Sequence, residues 1–520
     1  MKRRSFLRTG SAVSLPVFVN GFSMGFLPKS AFFNLIDENS DRILVLVQLD
    51  GGNDGLNTLI PLDQYSALNA ARQDILIPES AVHNLYDHIG LHPSMTGFKN
   101  LFDEGKLLAI QGVAYPDQNR SHFRSTDIWQ SGSAADEYLT TGWLGRYFDS
   151  KYGDYPEGYP NADYPDPFAI TIRAQVSETC QGLSANYSMA VTDPFTVYPV
   201  DETTLNDLPD TNFGHEMAFL IDALRQTNAY ADTIVGAANK GANMSALYND
   251  ESSLAQQLKT VALLISGGLQ TRVYVVRIGG FDTHANQVQA TSTLVGNHAE
   301  LLQDLSDAIF AFQDDLQKLG LEKRVLGLTF SEFGRQIAAN DSLGTDHGDA
   351  APLFVFGSCV QGGVIGQNPI INQQLEPQEG VAMQHDFRAI YASVLREWFA
   401  VSEMELNTLL PGQFPVLHLT TMCDVSTGIE DFPSKTQPGI SLVYPNPLSG
   451  SGNVQFYSEG DWTRMSLYDQ LGRKVTVFAE RFFEKGYHTV PFDMRQLPKG
   501  SYVIRIEART WQEARSVVKM

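Results

Sequence analysis

Five short segments of this chain gather acids, histidines and hydroxyls at spacings that suit chemistry. The first, LDGGNDG from Leu49, places Asp50 directly before two glycines, with Asn53 and Asp54 close behind. Carboxylate and amide groups at that density suit a hard or borderline cation. An Asx-Gly turn alone needs fewer of them. The second, FDTHANQ, holds Asp282 and His284. Residues two apart in an extended segment point to the same side, so this pair converges and can grip a metal. The third, SEFGRQ, carries Ser331, Glu332 and Arg335. Glu332 reads equally well as a site acid and as a first-turn acid behind a Ser331 cap. The fourth, GTDHGD, presents Asp346, His347 and Asp349 on a loop, where an imidazole suits a ligand better than a core position. The fifth, NRSHFRSTD, offers Arg120, Ser121, His122, Ser125, Thr126 and Asp127 where a helix opens. A hydroxyl there gains from the helix dipole and can act as a nucleophile beside a metal. Ser121 reads at least as well as a plain N-cap.

These segments need elements to position them. Residues 43–47, ILVLV, form a short β-branched run with no polar break, the pattern of a parallel strand buried on both faces. The glycines beyond it turn the chain sharply. Asp50 then stands at the carboxyl end of a central strand, where open α/β sheets build their sites. KLLAIQGVA, TRVYVVRIGG, KRVLGLTFSEFG and APLFVFGS also read as buried strands followed by turns. Helical periodicity runs through residues 251–269, 296–319 and 386–399. Strands separated by long helices predict crossover connections and a layered, mainly parallel α/β sheet. Residues 152–167, rich in Tyr, Pro, Asp and Gly, predict a surface loop.

The whole chain bounds the function. Its 520 residues are 43% hydrophobic and 18% charged, which is a globular composition with room for more than one domain. A net charge of −22 argues against a nucleic-acid partner, because phosphate binding needs clustered Lys and Arg. Cys180, Cys359 and Cys423 are too few for a disulfide framework, and their spacing matches no zinc knuckle. Beyond the N-terminus no stretch offers the roughly 18 unbroken apolar residues of a membrane span, so the mature protein should have none. Composition changes after Cys423. Residues 426–438 read as a linker, and 439–520 as short alternating strands of a small all-β sandwich.

Several of these segments carry resemblances. MKRRSFLRTG, with Arg3 and Arg4 ahead of a modest apolar stretch, looks like a twin-arginine export signal over residues 1–35. The tail resembles the C-terminal sorting domain of type IX secretion cargo. The residues that carry this are YPNP (444–447), LYDQLGRKV (467–475), LPKGSYVIRI (497–506) and the terminal VVKM. The two together imply the twin-arginine and type IX export machineries as partners. They also imply a route through the periplasm to the cell surface or the extracellular space.

Residues 40–425 resemble a twin-arginine-exported, sulfatase-like family of the alkaline phosphatase-like superfamily. The match lies in LDGGNDGLNTLIP, SHFRSTDIWQSG, GGFDTHANQ, TFSEFGR, GTDHGDAAPLFVFG and HDFRAIYASVLREWF. It implies an alkaline phosphatase-like layered sheet with flanking helices. It also implies a divalent metal of unknown identity and hydrolysis of a phosphate or sulfate ester of a small molecule or glycan. Carried over by position, Asp50, Asp282, His284 and His347 are the expected ligands, with Glu332 and Asp346 beside them. Ser121 is the expected nucleophile, Ser125 and Thr126 being the other hydroxyls, and Arg120 and Arg335 would hold the anion. One departure stands out. The superfamily usually ends the relevant strand in Asp-His-Gly, and this chain has Glu332-Phe333-Gly334. Either one histidine ligand is absent, or Asp346–His347 supplies the dyad and His385 the last ligand. The rival expectation is a non-catalytic surface binding or scaffold protein that keeps the fold around a degraded site.

Overall fold

The computed structural model describes residues 17–19, 22–24, 41–86, 88–196, 211, 228–421, 439–444, 450–469, 473–509 and 511–519. The twin-arginine segment and the linker 426–438 lie outside those residues, apart from a short hairpin pairing Val17–Val19 with Phe22–Met24. Two compact units divide the chain at residues 425 and 426.

The larger unit is built on a mixed sheet. In chain order its strands are β1 (Ile43–Asp50), β2 (Leu107–Ala114), β3 (Ala169–Thr171), β4 (Ser188–Ala190) and β5 (Val273–Gly279). They continue with β6 (Val325–Ser331), β7 (Ala351–Phe356), β8 (Gly363–Ile365) and β9 (His385–Asp386). The spatial order is β8-β2-β7-β6-β1-β5-β3-β4, with β9 also on β2. β1 therefore lies at the centre, parallel to β5 and to β6. The apolar run is in the middle because both of its faces are covered. Val45, Val47 and Leu49 enter one core, and Leu44 and Leu46 the other. Burial of each such side chain contributes about 1.5–3 kcal/mol before entropy is counted.

Helices cover both faces. α1 (Thr96–Asp103), α4 (Ser253–Ser266) and α5 (Asn297–Lys318) pack on the Val45 side. α2 (His122–Ser131), α3 (Trp143–Lys151) and α6 (Phe387–Ser393) pack on the Leu46 side. The helices expected over 251–269 and 296–319 are present, shortened by two residues or less at one end and up to three at the other. The helix expected over 386–399 ends in a π turn, Val394–Trp398.

One strand departs from the crossover expectation. β7 runs antiparallel to both β6 and β2. Residues 332–350 return as a loop with no helix, so the chain re-enters the sheet beside the edge it has just left. That loop carries Glu332, Arg335, Asp346 and His347.

Beneath this edge lies a buried polar layer. Asp54 and Arg72 are 1% exposed and paired at 2.8 Å, and Gln287 donates to Asp54 at 2.6 Å. His298, also buried, meets Asn53 Oδ1 at 2.9 Å. Burial, reinforced by the charges of Arg335 and Arg72, holds His298 down to about 4, although Asp54 opposes this. An unfolded histidine titrates near 6.5, so the unfolded chain takes up a proton that the native chain refuses. Stability should therefore fall as pH drops from about 6.5 towards 4, by about 3 kcal/mol for this group. Denaturant midpoints at pH 7 and pH 4.5 test this. His298→Gln should show a smaller loss than wild type, and an identical loss would remove His298 as the cause.

The second unit is a five-stranded antiparallel sheet. Its strands are β10 (Gly439–Tyr444), β11 (Ser451–Tyr468), β12 (Lys474–Asp493), β13 (Gly500–Ala508) and β14 (Gln512–Lys519). The several short strands expected there merge into fewer, longer ones. β11 bends instead of breaking, with Gly460 at φ 93° and a register shift after Met465. Its first half pairs with β10 and its second with β13. Val454, Phe456, Leu467, Ile504 and Val517 form its core.

Candidate metal centre

β1 ends at Asp50, and the chain turns through Gly51 (φ 122°) and Gly52 (φ 82°). A Cβ on Gly51 would lie 2.2 Å from the Asp282 nitrogen, and one on Gly52 would lie 2.4 Å from the Phe333 ring. Only glycine lets this turn pass so close to both segments. Arg335, 1% exposed, clamps the assembly from below. It donates to the carbonyls of Gly52 (2.7 Å), Thr345 (2.8 Å), Phe281 (3.0 Å) and Gly51, and to Asp282 Oδ1 at 2.6 Å.

Above this clamp three imidazoles meet one carboxylate. His284 Nε2 and His347 Nε2 approach Asp282 Oδ1 at 3.1 and 3.2 Å, and His122 Nε2 approaches Oδ2 at 3.4 Å. The other nitrogen of each ring is engaged. His122 Nδ1 faces Glu332 Oε1 (2.9 Å), His284 Nδ1 faces Asp346 Oδ1 (2.8 Å) and His347 Nδ1 faces the Arg120 carbonyl (2.9 Å). Carboxylates and carbonyls only accept, so each neutral ring carries its proton on Nδ1 and presents a lone pair on Nε2. His284 Nε2 and His347 Nε2 stand 2.9 Å apart, lone pair to lone pair. Such a contact is repulsive unless a cation lies between the nitrogens, either a metal ion or a second proton on one ring.

The donor set fits a divalent metal. Ligand atoms bound at roughly 2.0–2.2 Å in a tetrahedron lie about 3.3–3.6 Å apart, and the contacts of Asp282 with His284, His347 and His122 fall at 3.1, 3.2 and 3.4 Å. Neutral imidazoles with one carboxylate suit borderline ions such as zinc. An acceptor behind each imidazole is the usual outer arrangement of metal-bound histidine. The electrostatics agree. Burial raises the Asp282 pKa, but Arg335 outweighs it and holds the group below the usual carboxylate range. The His284 contact lowers Asp346, and burial pushes His347 below the ordinary imidazole value, which keeps it neutral. Replacing Glu332 by Gln should free the His122 ring and weaken metal affinity about 10- to 100-fold. Calorimetric titration with zinc reads this, and an unchanged affinity would leave Glu332 no part in orienting His122.

The other candidates stand elsewhere. Asp50 lines the same cleft as Asp282 and His122, but it is paired with Arg277 at 2.7 Å. Glu332 and Asp346 lie behind the histidines. Arg120 forms a two-toothed pair with Asp349 (2.9 and 2.7 Å), and Arg335 is buried among carbonyls, so neither presents a free guanidinium to the cleft. Ser121 is exposed at the N-cap of α2 and makes no cap hydrogen bond there. Ser125 is buried against the Glu332 carbonyl and Tyr115, whereas Thr126 lines the cleft. Asn53 and Asp54 belong to the buried layer. Phe333, where a histidine was the comparison, packs against the rings of His122 (5.0 Å) and His347 (4.5 Å). His385 sits on the β2 edge, its Nε2 without a hydrogen-bond partner among the described residues.

His122, 3.4 Å from Asp282, joins the cluster from a segment whose hydroxyls are the more conspicuous chemistry. The segment's one histidine, placed where a helix opens beyond a buried strand, was the available signal. Among the described residues His122, Asp282 and His347 form a metal-capable group, their donor atoms all within 4.8 Å.

The chain is similar to a phosphonate monoester hydrolase from Silicibacter pomeroyi, at 9% identity over 92% of this chain and 89% of that one, with a TM-score of 0.34. It is similar to an alkaline phosphatase superfamily protein from Vibrio parahaemolyticus, at 9% identity over 86% and 91%, with a TM-score of 0.31. It is also similar to a sulfatase from Pseudoalteromonas, at 9% identity over 91% and 89%, with a TM-score of 0.29. No curated protein matches the sequence. Residues 442–520 match the model described as a secretion system C-terminal sorting domain, so the tail is an address for export to the cell surface or extracellular space. Among the described residues no helix is long and apolar enough to cross a membrane. Residues 41–396 match the model described as protein of unknown function (DUF1501), and the chain belongs to that family.

Proposed function

We propose that this exported protein is a metal-dependent hydrolase of phosphate or sulfate esters. The observation that carries the reading is the convergence of three Nε2 lone pairs on Asp282, each fixed by an acceptor at Nδ1. A divalent cation there would supply positive charge to the ester oxygens. The chain's own residues do the positioning. Glu332, Asp346 and the Arg120 carbonyl fix three rings, and Arg335 fixes the carboxylate. A cleft of about 610 Å³ opens beside the cluster and admits an ester. Thr126, one helical turn after His122, is the hydroxyl of its segment that reaches this cleft.

A second reading, a surface protein that binds metal without turnover, is favoured by the burial of Ser125 and the absence of Ser121 from the cleft lining. Metal analysis of the purified full chain, followed by assays on p-nitrophenyl phosphate and p-nitrophenyl sulfate, separates the two. The hydrolase reading expects turnover that a chelator abolishes and added metal restores. Bound metal with both esters inert would favour the second reading, and a chain that binds no metal would end both.

A further inference from the structure

Gln48 offers its carboxamide to the cleft with no partner among the described residues. It lies in β1 on the face shared by Leu44 and Leu46 and is 3% exposed. Its strand neighbours at the same level are Arg277 in β5 and Phe330 in β6. Among the described residues its carboxamide makes no hydrogen bond, yet it lines the cleft. The amide reaches the cleft rather than the closed core, so a central strand with leucine there would lose only what the amide offers to the cleft. The amide is therefore held ready for something that enters the cleft.

Its surroundings indicate what that is. Arg277 gives Nε and Nη2 to Asp50 at 3.0 and 2.7 Å, and no described residue accepts from its remaining N–H groups. Gln257 holds the Arg277 backbone from both sides, at 3.0 and 2.9 Å, so its position is fixed. Thr126 and Gln130, on α2, also line the cleft without partners among the described residues. Phe123 lines the same cleft and is 90% exposed. Amides and a hydroxyl both donate and accept, which matches neighbouring hydroxyl groups on a ring better than it matches a bare anion. An exposed aromatic face gives the apolar side of such a ring a surface to stack on.

We propose that Gln48, Thr126, Gln130 and Arg277, with the Phe123 ring, form a recognition subsite for a hydroxyl-rich ring, chemically a sugar. The subsite would hold the alcohol portion of the ester, and in that role it rests on the hydrolase reading. Sugar binding itself does not.

The test uses the full chain, chelated and zinc-supplied, with galactose, glucose and galactose 6-sulfate as probes, read by saturation-transfer NMR and calorimetry. Wild type should bind at least one of them, and Phe123→Ala and Gln48→Leu should each weaken it about tenfold, as expected for one lost anchoring contact. Gln48→Leu carries a second readout. Replacing an unpaired amide by leucine on an apolar face should leave the melting temperature unchanged or raise it by a few degrees. A structural glutamine would instead lower it. Binding of none of the probes by wild type would overturn the subsite, as would equal binding by the variants or a melting temperature lowered by more than a few degrees in Gln48→Leu. Zinc uptake is measured separately. Sugar binding by a chain that takes no zinc would fell the hydrolase reading and leave the subsite standing.

Discussion

Asp282→Asn should lose bound metal, with affinity for zinc falling at least about 100-fold, more than an outer partner is worth. Both oxygens of Asp282 face imidazoles, Oδ1 towards His284 and His347 and Oδ2 towards His122. The amide keeps the shape but removes the charge and one acceptor. Three Nε2 lone pairs would then have no anion to share an ion with. Asp50→Asn is the matched control. Asp50 lies in the same cleft, but Arg277 already neutralises it, so this variant should keep its metal. Elemental analysis after dialysis, with calorimetric titration, reads both. If Asp282→Asn retained metal like wild type, the cluster would be an ordinary hydrogen-bonded group. If Asp50→Asn lost it, the centre would extend further along the cleft than the histidines do.

This contrast also marks what could be read from sequence. That Asp282 and His284 meet, at 3.1 Å, was legible because two-residue spacing in an extended segment is a local rule. His347 stands beside them, 3.2 Å from Asp282, and its signal was an imidazole on a loop. Asp50 was placed correctly at the end of a central strand, but its partner is decided by cross-strand register. Arg277 is opposite Gln48 only once β5 lies against β1. The same holds for Arg335, whose charge suggested an anion site. Its burial under three carbonyl-bearing segments depends on a loop fold that periodicity does not report. The sheet was legible in its buried runs, and the reversal of β7 was not, because an apolar strand reads the same in either direction.

The second large effect concerns Arg72→Met, which should cost about 3–5 kcal/mol of stability. Arg72 meets both oxygens of Asp54 at 2.8 and 2.9 Å and donates to the carbonyls of Ile337 (2.7 Å) and Gln336 (2.6 Å). Burial would raise the Asp54 pKa, but the guanidinium overrides it and holds the carboxylate low. Without Arg72 a buried charge and two carbonyls are left with little compensation. The double variant Arg72→Met, Asp54→Leu removes the orphaned charge and should recover much of the loss. Denaturant midpoints of the two proteins decide the matter. A single variant within about 1 kcal/mol of wild type would mean that water reaches Asp54 and that the layer under the site is softer than its burial suggests. Because Asp54 and Asn53 follow directly on the glycine turn, the single variant should also weaken zinc binding.

The place of β1 has a consequence for how the chain is made. It is the first strand of the sheet to leave the ribosome, and both of its neighbours begin more than two hundred residues later, at Val273 and Val325. At roughly 5–20 residues per second, an unpaired ILVLV waits on the order of ten seconds or more for a partner. Folding of the larger unit is thus a late, long-range event, of the kind that slows with sequence separation. Until β5 and β6 arrive, the strand that will carry the cleft is an adhesive apolar ribbon, and a nascent chain of this protein is a natural client for a chaperone.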